Sequence, residues 1–365
     1  MNRYKKWLIA SLLISAASVA IVTGFTFDAE TIEALKRVKP EYIIAAALLH
    51  FFSYFVWGFR TRALCRALGH EVNLARVIEI VISSAFAAGI TPSSAGGEPL
   101  RVHMLHQNKI PLGRATAIVF GERLLDAFFI FASLPFALHI YGDITSNYEF
   151  DAAFLTANAL VFLILLCFVY SLWKPEKVKS AIHRVLSKAS PFFGKRTDTA
   201  ISHILEQVDQ EIDHFHESIL LFFSDGKKGL FYGIAYTFVF WTVEFSLLVL
   251  ILMGLSETPS IPTAFAAQVL MAVIMIVPAT PGASGIAEFG AASLFSVFVS
   301  PSILGITVLA WRALTYYMNL LVGGFVSLKV LKDMDVIKKL IGDSTESHRV
   351  PENPQVPHTE LPEAP

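Results

Sequence analysis

The chain has 365 residues, of which 54% are hydrophobic and only 16% are charged. Soluble domains carry roughly 25% charged residues, so this composition excludes an ordinary soluble fold and predicts a polytopic membrane protein. The net charge of −1 and the two cysteines, Cys65 and Cys167, give no indication of a nucleic-acid partner, a disulfide framework or a thiolate metal site.

Long apolar runs follow one another along the chain. Each approaches or exceeds the ~20 residues that cross ~30 Å of bilayer hydrocarbon as an α-helix. The first run follows Arg3, Lys5 and Lys6, as in a cleavable signal peptide, but it continues to Phe25 and is therefore expected to be an uncleaved anchor. The runs occupy residues 7–25, 115–141, 152–173, 230–254 and 303–330.

Basic residues indicate which parts of the chain face the cytoplasm. They concentrate at the N-terminus and at residues 60–76, 109–114, 174–228 and 329–339. By the positive-inside rule these segments are cytoplasmic, which places both termini on the cytoplasmic side of the plasma membrane. The mixed loop 28–41 and the acidic loop 142–151 remain for the outside.

Two segments begin and end on the same side of the membrane by this count. The first, residues 77–90, breaks at a Pro- and Gly-rich stretch from Thr91, and the second, within residues 262–300, breaks at Thr280. Because Pro and Gly interrupt helices, each segment predicts a re-entrant hairpin, and the two enter from opposite sides. Non-helical backbone at that depth is tolerated only where protein or water satisfies it.

The two breaks share a sequence pattern. Each Glu of the pattern is followed 25 or 24 residues later by an Arg within an apolar run, Arg123 or Arg312. This indicates an inverted repeat, in which transporters build a midplane site from broken helices; the alternative is that the breaks only kink two helices. The matching residues are Thr91, Pro92, Gly96 and Glu98 in the first half and Thr280, Pro281, Gly285 and Glu288 in the second.

The predicted fold is all-α and polytopic, an inverted pseudo-repeat with about six full transmembrane helices plus two oppositely oriented re-entrant hairpins, or about eight hydrophobic segments. Apolar residues recur every three or four positions from Ile201 to Phe222, which predicts an amphipathic helix. The predicted units are a single transmembrane domain (1–341), divided into half one (1–173), a cytoplasmic amphipathic loop (174–228) and half two (229–341), and a disordered cytoplasmic tail (342–365) rich in Pro, Glu and Ser.

Charged side chains within the apolar runs are the main candidates for a functional site. A charge at the bilayer centre costs about 2.5–3.5 kcal/mol on insertion scales, so these groups must be paired or hydrated. They either form ion pairs that fix helix register, such as Glu122 with Arg312 or Glu98 with Arg123, or they bind a ligand. The residues concerned are Glu122, Arg123, Asp126, Glu244 and Arg312.

Three arginines favour a ligand that carries phosphate. Arg101, Arg123 and Arg312 can each present a guanidinium fork to a phosphate, and the Gly-rich breaks add backbone N–H groups at half-helix ends, where anions are favoured. Glu98 and Glu288 then hold a cationic headgroup, carry a coupling proton or only order the arginines. The candidate substrate-binding residues are Thr91, Pro92, Gly96, Gly97, Glu98, Arg101, Glu122, Arg123, Thr280, Pro281, Gly282, Gly285, Glu288 and Arg312.

Catalytic and metal chemistry find little support in the sequence. His103 and His106 have an i, i+3 spacing, but no third ligand is fixed nearby. Ser93 and Ser94 lack a Gly-x-Ser-x-Gly elbow and a committed base, and there is no Walker-type loop for ATP. We therefore expect no catalytic residues, no cofactor and no metal.

The two hairpin signatures, with Gly-Glu-Arg at 121–123 and Trp-Arg at 311–312, resemble the lysylphosphatidylglycerol synthase transmembrane-region family of flippase-like proteins. The resemblance covers residues 7–339; Ser93 replaces a usual Gly, and the second signature, 278–288, matches without such a change. Members fused to a soluble aminoacyl transferase domain make and flip aminoacylated phosphatidylglycerol. Because the chain ends at Pro365, the resemblance implies the translocating part without the synthase chemistry.

The expected function is translocation of a lipid or lipid-linked molecule with an anionic phosphate across the cytoplasmic membrane, without enzymatic activity. One alternative is a non-catalytic membrane partner of a lipid- or glycolipid-synthesis enzyme, docked through residues 174–228. Another is an integral-membrane transferase with Glu98 or Glu288 as general base. The identity of the lipid, the direction and driving force of transport, and the oligomeric state are left open.

Overall fold

The computed structural model describes residues 3–91, 96–145, 220–224, 226–276 and 280–329, with isolated positions between 156 and 218. The regular structure in these ranges is helical, which confirms the all-α prediction for them. The first half contains α1 (Arg3–Thr26), α2 (Ala29–Lys36), α3 (Pro40–Ala67), α4 (Leu74–Ile90), α5 (Gly97–Gln107) and α6 (Leu112–Thr145). The second half contains α7 (Lys227–Gly254), α8 (Ile261–Ile274), α9 (Ile286–Phe295), α10 (Pro301–Arg312), a π-helical turn (Ala313–Tyr317) and α11 (318–329).

Four of the described helices, α1, α3, α6 and α7, are long and apolar enough to cross a membrane. The predicted run 152–173, most of the predicted amphipathic helix and the predicted tail lie outside the described residues. The predicted run 303–330 is helical from residue 301 to residue 329, but a π-helical turn (Ala313–Tyr317) separates α10 from α11 within it. Such π-turns inside helices are frequent at functional sites.

The helices α3 and α7 pack against each other along most of their length and run antiparallel. Gly229, at the start of α7, faces Ala67 at the end of α3, and a Cβ on this Gly would lie 2.4 Å from the Ala67 Cβ. Gly254, at the other end of α7, faces Ile43 near the start of α3. Glycine at both ends of α7 therefore allows the close approach of the two spans.

The helix α1 packs on α10 at Gly305. A Cβ on Gly305 would lie 2.6 Å from the Thr23 Cα, which cannot move unless the helices separate. We expect Gly305→Ala to lower the free energy of unfolding by about 1–3 kcal/mol through overpacking. Gly24→Ala is the matched control: a Cβ there meets no atom within 4 Å, and alanine in a helix gains about 0.5–1 kcal/mol over glycine. Denaturant unfolding in detergent compares the two variants, and equal stabilities would contradict the close packing of α1 on α10 at Gly305.

Two apolar cores meet along α6. Its residues up to Val119 pack with α3, α4 and α5, whereas its residues from Ile130 onward pack with α7 to α10. Between these two stretches α6 buries two carboxyl groups, those of Glu122 and Asp126. The polar part of the molecule thus lies between the cores, in the middle of a membrane-spanning helix.

Two pairs of short helices carry the predicted motifs. The helices α4 and α5 have 17 and 11 residues and pack against each other, as do α8 and α9 with 14 and 10 residues. At 1.5 Å per residue the longest is about 25 Å, shorter than the ~30 Å of bilayer hydrocarbon. Each pair is a helical hairpin, and its placement as a re-entrant hairpin stays a prediction. We call the motif residues between the paired helices the first tip (91–96, of which 91 and 96 are described) and the second tip (280–285).

The predicted outer loop 28–41 contains the short helix α2, which begins at an Asp28 cap. The backbone N–H of Thr31 donates to Asp28 Oδ1 at 2.8 Å, and this bond holds the pKa of Asp28 below its usual range. Ser302 of α10 donates to the other carboxylate oxygen at 3.0 Å. The cap therefore also fastens α2 to α10.

Candidate functional site

Four buried charged residues meet between α3, α5 and α6. Glu122 accepts a hydrogen bond from Arg101 Nη1 at 2.6 Å and lies 3.5 Å from Arg60 Nε. Asp126, one turn further along α6, accepts from Arg60 Nη1 at 2.5 Å. Two guanidinium groups thus balance two carboxylates, and both arginines are only 1% exposed. We call these four residues the Glu122 cluster.

Neighbouring side chains satisfy the carboxylates of the Glu122 cluster. Trp57 Nε1 donates to Glu122 at 3.4 Å, and the hydroxyl of Thr61 donates to the same carboxylate. Trp241 Nε1 donates to Asp126 at 3.0 Å. The Trp57 ring also lies 5.1 Å from the guanidinium carbon of Arg101. These contacts replace water, which is the condition for burying ionised groups in an apolar protein.

The Glu98–Arg123 pair lies at the edge of the Glu122 cluster and is more exposed. Arg123 Nε donates to Glu98 Oε1 at 2.8 Å and joins α6 to α5. The side chain of Arg123 is 46% exposed and that of Glu98 is 28% exposed. Arg123 Nη1 also lies 3.5 Å from Asp126, a member of the cluster. Because exposed ion pairs contribute about 0–1 kcal/mol, an incoming anion can reach Arg123 at small cost.

The second half of the chain forms a separate buried cluster. Arg312 Nε donates to Glu288 Oε1 at 2.8 Å, and both side chains are almost fully buried. The backbone N–H of Gly285 donates to Glu288 Oε2 at 2.6 Å, and the hydroxyl of Ser15 on α1 donates to the other oxygen. The Tyr317 hydroxyl lies 2.8 Å from Ser15 Oγ. We call Ser15, Glu288, Arg312 and Tyr317 the Glu288 cluster.

The second tip contacts the end of α4, next to the first tip. Gly282 has a φ of +60°, and its carbonyl oxygen accepts a hydrogen bond from Arg312 Nη2 at 3.3 Å. A Cβ on Gly282 would lie 2.7 Å from the carbonyl oxygen of Gly89. The Tyr316 hydroxyl donates to that same oxygen at 3.4 Å, and its ring lies 4.1 Å from the Arg312 guanidinium carbon. Tyr316 therefore links the Glu288 cluster to the first hairpin.

The threonines and glycines of the two motifs shape the tips. Thr91 Oγ1 accepts the backbone N–H of Gly96 at 2.9 Å, which closes the first tip. Thr280 Oγ1 donates to the carbonyl oxygen of Ser284 at 2.8 Å within the second tip. A Cβ on Gly97 would lie 3.0 Å from a carbonyl oxygen of α4, so glycine lets α5 start close to α4. These hydroxyls, predicted to bind substrate, bind their own backbone in this structure.

A third polar group lies between α3 and α7. His50 Nδ1 lies 3.0 Å from Glu244 Oε1, so this intramembrane carboxylate is paired. Tyr54, one turn after His50, places its hydroxyl 3.5 Å from His50 Nε2 and donates to Asn319 of α11. Sequence reasoning missed His50, although its i, i+4 spacing to Tyr54 marks one face of the helix.

The structure decides between the ion pairs predicted from sequence. The Glu98–Arg123 pair forms. The pairing of Glu122 with Arg312 is wrong, because Glu122 pairs with Arg101 and Arg312 with a carboxylate of its own half. The three predicted arginines therefore divide between two groups, and no direct contact joins these groups among the described residues. Of the predicted site residues, Pro92 lies outside the described ranges.

Arg60 is the largest omission from the predicted site. By its position in the sequence it groups with the basic residues 60–76 and is not predicted as a site residue, whereas the structure places it inside α3 with 1% of its side chain exposed. The helix continues for seven residues beyond it, to Ala67. Ser15 was also missed, since a single serine in an apolar run carries no distinguishing signal.

The long apolar helices and the charged clusters buried between them define a helical, multi-pass membrane protein. The chain belongs to the family described as the lysylphosphatidylglycerol synthase TM region, whose model matches residues 8–323. The family resemblance read from the two hairpin signatures is thereby confirmed over nearly the whole chain.

The chain is also similar to several proteins named UPF0104 membrane protein. It is 32% identical over 334 residues to one from Archaeoglobus fulgidus, a match that covers 90% of this chain and 99% of the relative. A relative from Methanocaldococcus jannaschii is 23% identical over 329 residues, with coverages of 89% and 95%. One from Methanothermobacter thermautotrophicus is 25% identical over 323 residues, with coverages of 85% and 91%.

Proposed function

We propose that this protein translocates a lipid or lipid-linked molecule with an anionic phosphate between the leaflets of the cytoplasmic membrane. The observation that carries the proposal is the position of Arg123, a partly exposed cation inside a membrane-spanning helix and next to a buried ionic cluster. Ionisable residues within spans are costly and usually line a substrate or ion path. In this proposal the chain performs no covalent chemistry.

Arg123 makes the first contact with the phosphate of the substrate. Its guanidinium already binds a carboxylate, that of Glu98, in a half-exposed pair. A phosphate offers the same acceptor geometry with a further oxygen, so it can replace Glu98 and form a bidentate contact. Arg101 keeps its bond to Glu122 and holds α5 against α6, which fixes the position of Arg123.

The two helical hairpins provide the path. We infer that α4–α5 and α8–α9 are re-entrant and enter from opposite sides. Each of these four helices is too short to span the bilayer, and each pair is interrupted at a Gly-rich tip. The contact between Gly89 and Gly282 then closes the path near its middle. Separation of the two tips lets the headgroup pass. In this arrangement both chain termini lie on the cytoplasmic side, as the distribution of basic residues indicates.

The test is reconstitution of the purified chain in liposomes that contain fluorescent anionic, zwitterionic or cationic lipids. Outer-leaflet quenching measures how fast each labelled lipid crosses. We expect faster crossing for an anionic phospholipid, and we expect Arg123→Gln to slow it by about tenfold, the effect of losing ~1.4 kcal/mol of interaction. Arg76→Gln is the matched control, because Arg76 forms a similar pair with Glu79, at 3.1 Å, away from the Glu122 cluster.

Two results would contradict the proposal. Equal crossing rates for Arg123→Gln, the control and the unmodified chain would show that Arg123 does not contact the moving lipid. Crossing no faster than in empty liposomes for every lipid tested would remove the translocation proposal and favour a membrane partner of a lipid-synthesis enzyme. Thermal unfolding of the variants in detergent checks that all three proteins are folded.

A further inference from the structure

A cleft of about 590 Å³ opens between the end of α3 and the start of α7. It is separate from the Glu122 and Glu288 clusters, and none of the predicted site residues lines it. Three cationic side chains do: Arg62 and Arg66, in the last two turns of α3, and Lys228, in the first turn of α7. Among the lining residues that the structure describes there is no carboxylate. The cleft therefore has the charge of an anion-binding site.

Arg62 is a cation of this cleft that the described protein groups leave available. Among the described residues, its buried Nε has no hydrogen-bond partner and no carboxylate lies within ion-pair distance of its side chain. Arg66, by comparison, pairs with Glu71 at 3.1 Å through a half-exposed side chain. A buried guanidinium N–H without a partner costs free energy that an anionic acceptor in the cleft would recover.

The start of α7 adds a second source of positive potential. The helix has 28 residues, its N-cap is Gly226, and no side chain among the described residues caps its first turn. Both Gly226 and Gly229 line the cleft, so part of the first-turn backbone of α7 lies against it. The N–H of Gly226 donates to the carbonyl oxygen of Leu221 at 2.8 Å, so the contribution of α7 is the partial positive charge of a helix N-terminus, which favours a phosphate or carboxylate.

Aromatic rings form the remaining wall of the cleft. Phe59 stacks on Tyr236 with ring centroids 5.9 Å apart, and Tyr236 stacks on Tyr232 at 6.4 Å. Tyr232 is 54% exposed. Both α3 and α7 are long enough to span the bilayer, and the cleft lies where both spans end. Tyrosine and basic residues at span ends mark the depth of lipid headgroups.

We propose that this cleft binds the phosphate of an anionic phospholipid headgroup, with Arg62 and Lys228 as the principal ligands and Arg66 at the rim. The acyl chains then lie along the apolar outer faces of α3 and α7. This site does not depend on the proposed translocation, because it lies at the span ends and shares no residue with the Arg123 site. A soluble phosphate compound offers the same chemistry, and the experiment distinguishes the two sources.

The experiment measures lipid retained by the purified full chain in an uncharged detergent, by native mass spectrometry, during titration with phosphatidylglycerol or phosphatidylcholine. We expect the phosphatidylglycerol concentration at half-saturation to be at least tenfold higher for the double variant Arg62→Gln with Lys228→Gln. The charge-matched control, Lys36→Gln with Arg37→Gln, alters two exposed cations at the C-terminal end of α2 and should match the unmodified chain. Phosphatidylcholine should bind weakly to all three.

Further arms make the result decisive. Arg66→Gln changes a half-exposed side chain and should raise the phosphatidylglycerol concentration at half-saturation by a smaller factor. Inorganic phosphate at millimolar concentration should not displace the lipid; displacement would assign the phosphate site to a soluble ligand instead. Unchanged phosphatidylglycerol binding in both the double variant and Arg66→Gln would overturn the proposal.

Discussion

Glu122→Gln is expected to lower the free energy of unfolding by about 3–5 kcal/mol, because it leaves a buried guanidinium without its counter-ion. Arg101 is 1% exposed, and Glu122, at 2.6 Å, is its ion-pair partner among the described residues. Arg60 suffers less, since it keeps Asp126 at 2.5 Å. Thermal and denaturant unfolding in detergent measure the loss, which should appear as a lower folded yield as well.

Two companion variants isolate the cause of that loss. Glu122→Gln combined with Arg101→Met removes both the carboxylate and the orphaned charge, and should recover most of the stability, because well-packed apolar groups often replace a buried ion pair without loss. Glu98→Gln breaks the half-exposed pair with Arg123 and should cost at most about 1 kcal/mol. If the single and double variants at Glu122 are equally unstable, the desolvated charge of Arg101 is not the reason.

The ion pair that the sequence predicts correctly joins neighbouring elements. Glu98 and Arg123, 25 residues apart, form a pair. Glu288 and Arg312, 24 residues apart, form the corresponding pair of the second half, although the partner predicted for Arg312 is Glu122. In each half a short helix carries the Glu and a following helix carries the Arg. An unpaired charge is costly inside hydrocarbon, so a carboxylate and a guanidinium in adjacent helices are expected to meet.

The partners that the sequence does not predict come from distant parts of the chain. Ser15 donates to Glu288 across 273 residues, and His50 meets Glu244 across 194 residues. These contacts depend on how α1 packs beside α9 and how α3 packs beside α7, which apolar periodicity cannot specify. Only the tertiary arrangement brings the groups together.

A count of basic residues also cannot separate Arg60 from Arg62, for a geometric reason. Arg60 and Arg62 are two positions apart in α3, which is about 200° around a helix at 3.6 residues per turn. Arg60 therefore faces α6 and enters the Glu122 cluster, whereas Arg62 lines the cleft beside α7. A count of basic residues treats the two alike, but the helix gives them different roles.

The largest backbone effect is expected at Gly282, where the second tip meets α4. Alanine there must adopt a φ of +60°, and its Cβ would lie 2.7 Å from Gly89 O and 2.5 Å from the Tyr316 ring. Strain and overpacking together should cost about 2–4 kcal/mol, and the displaced tip should change the crossing rate of lipid in liposomes.

Gly285→Ala is the matched control for Gly282→Ala. Its φ is +90° and its ψ is −59°, a backbone conformation that also strains an alanine. Its Cβ, however, would be 3.6 Å from the nearest atom, on Ile14. Backbone strain alone should then lower the free energy of unfolding, by about 1–3 kcal/mol, and the tip should stay in contact with α4. The difference between the two variants in unfolding and in lipid crossing measures the contact between the hairpins. If the two variants behave alike in both measurements, that contact does not hold the hairpins together, and the path must close elsewhere.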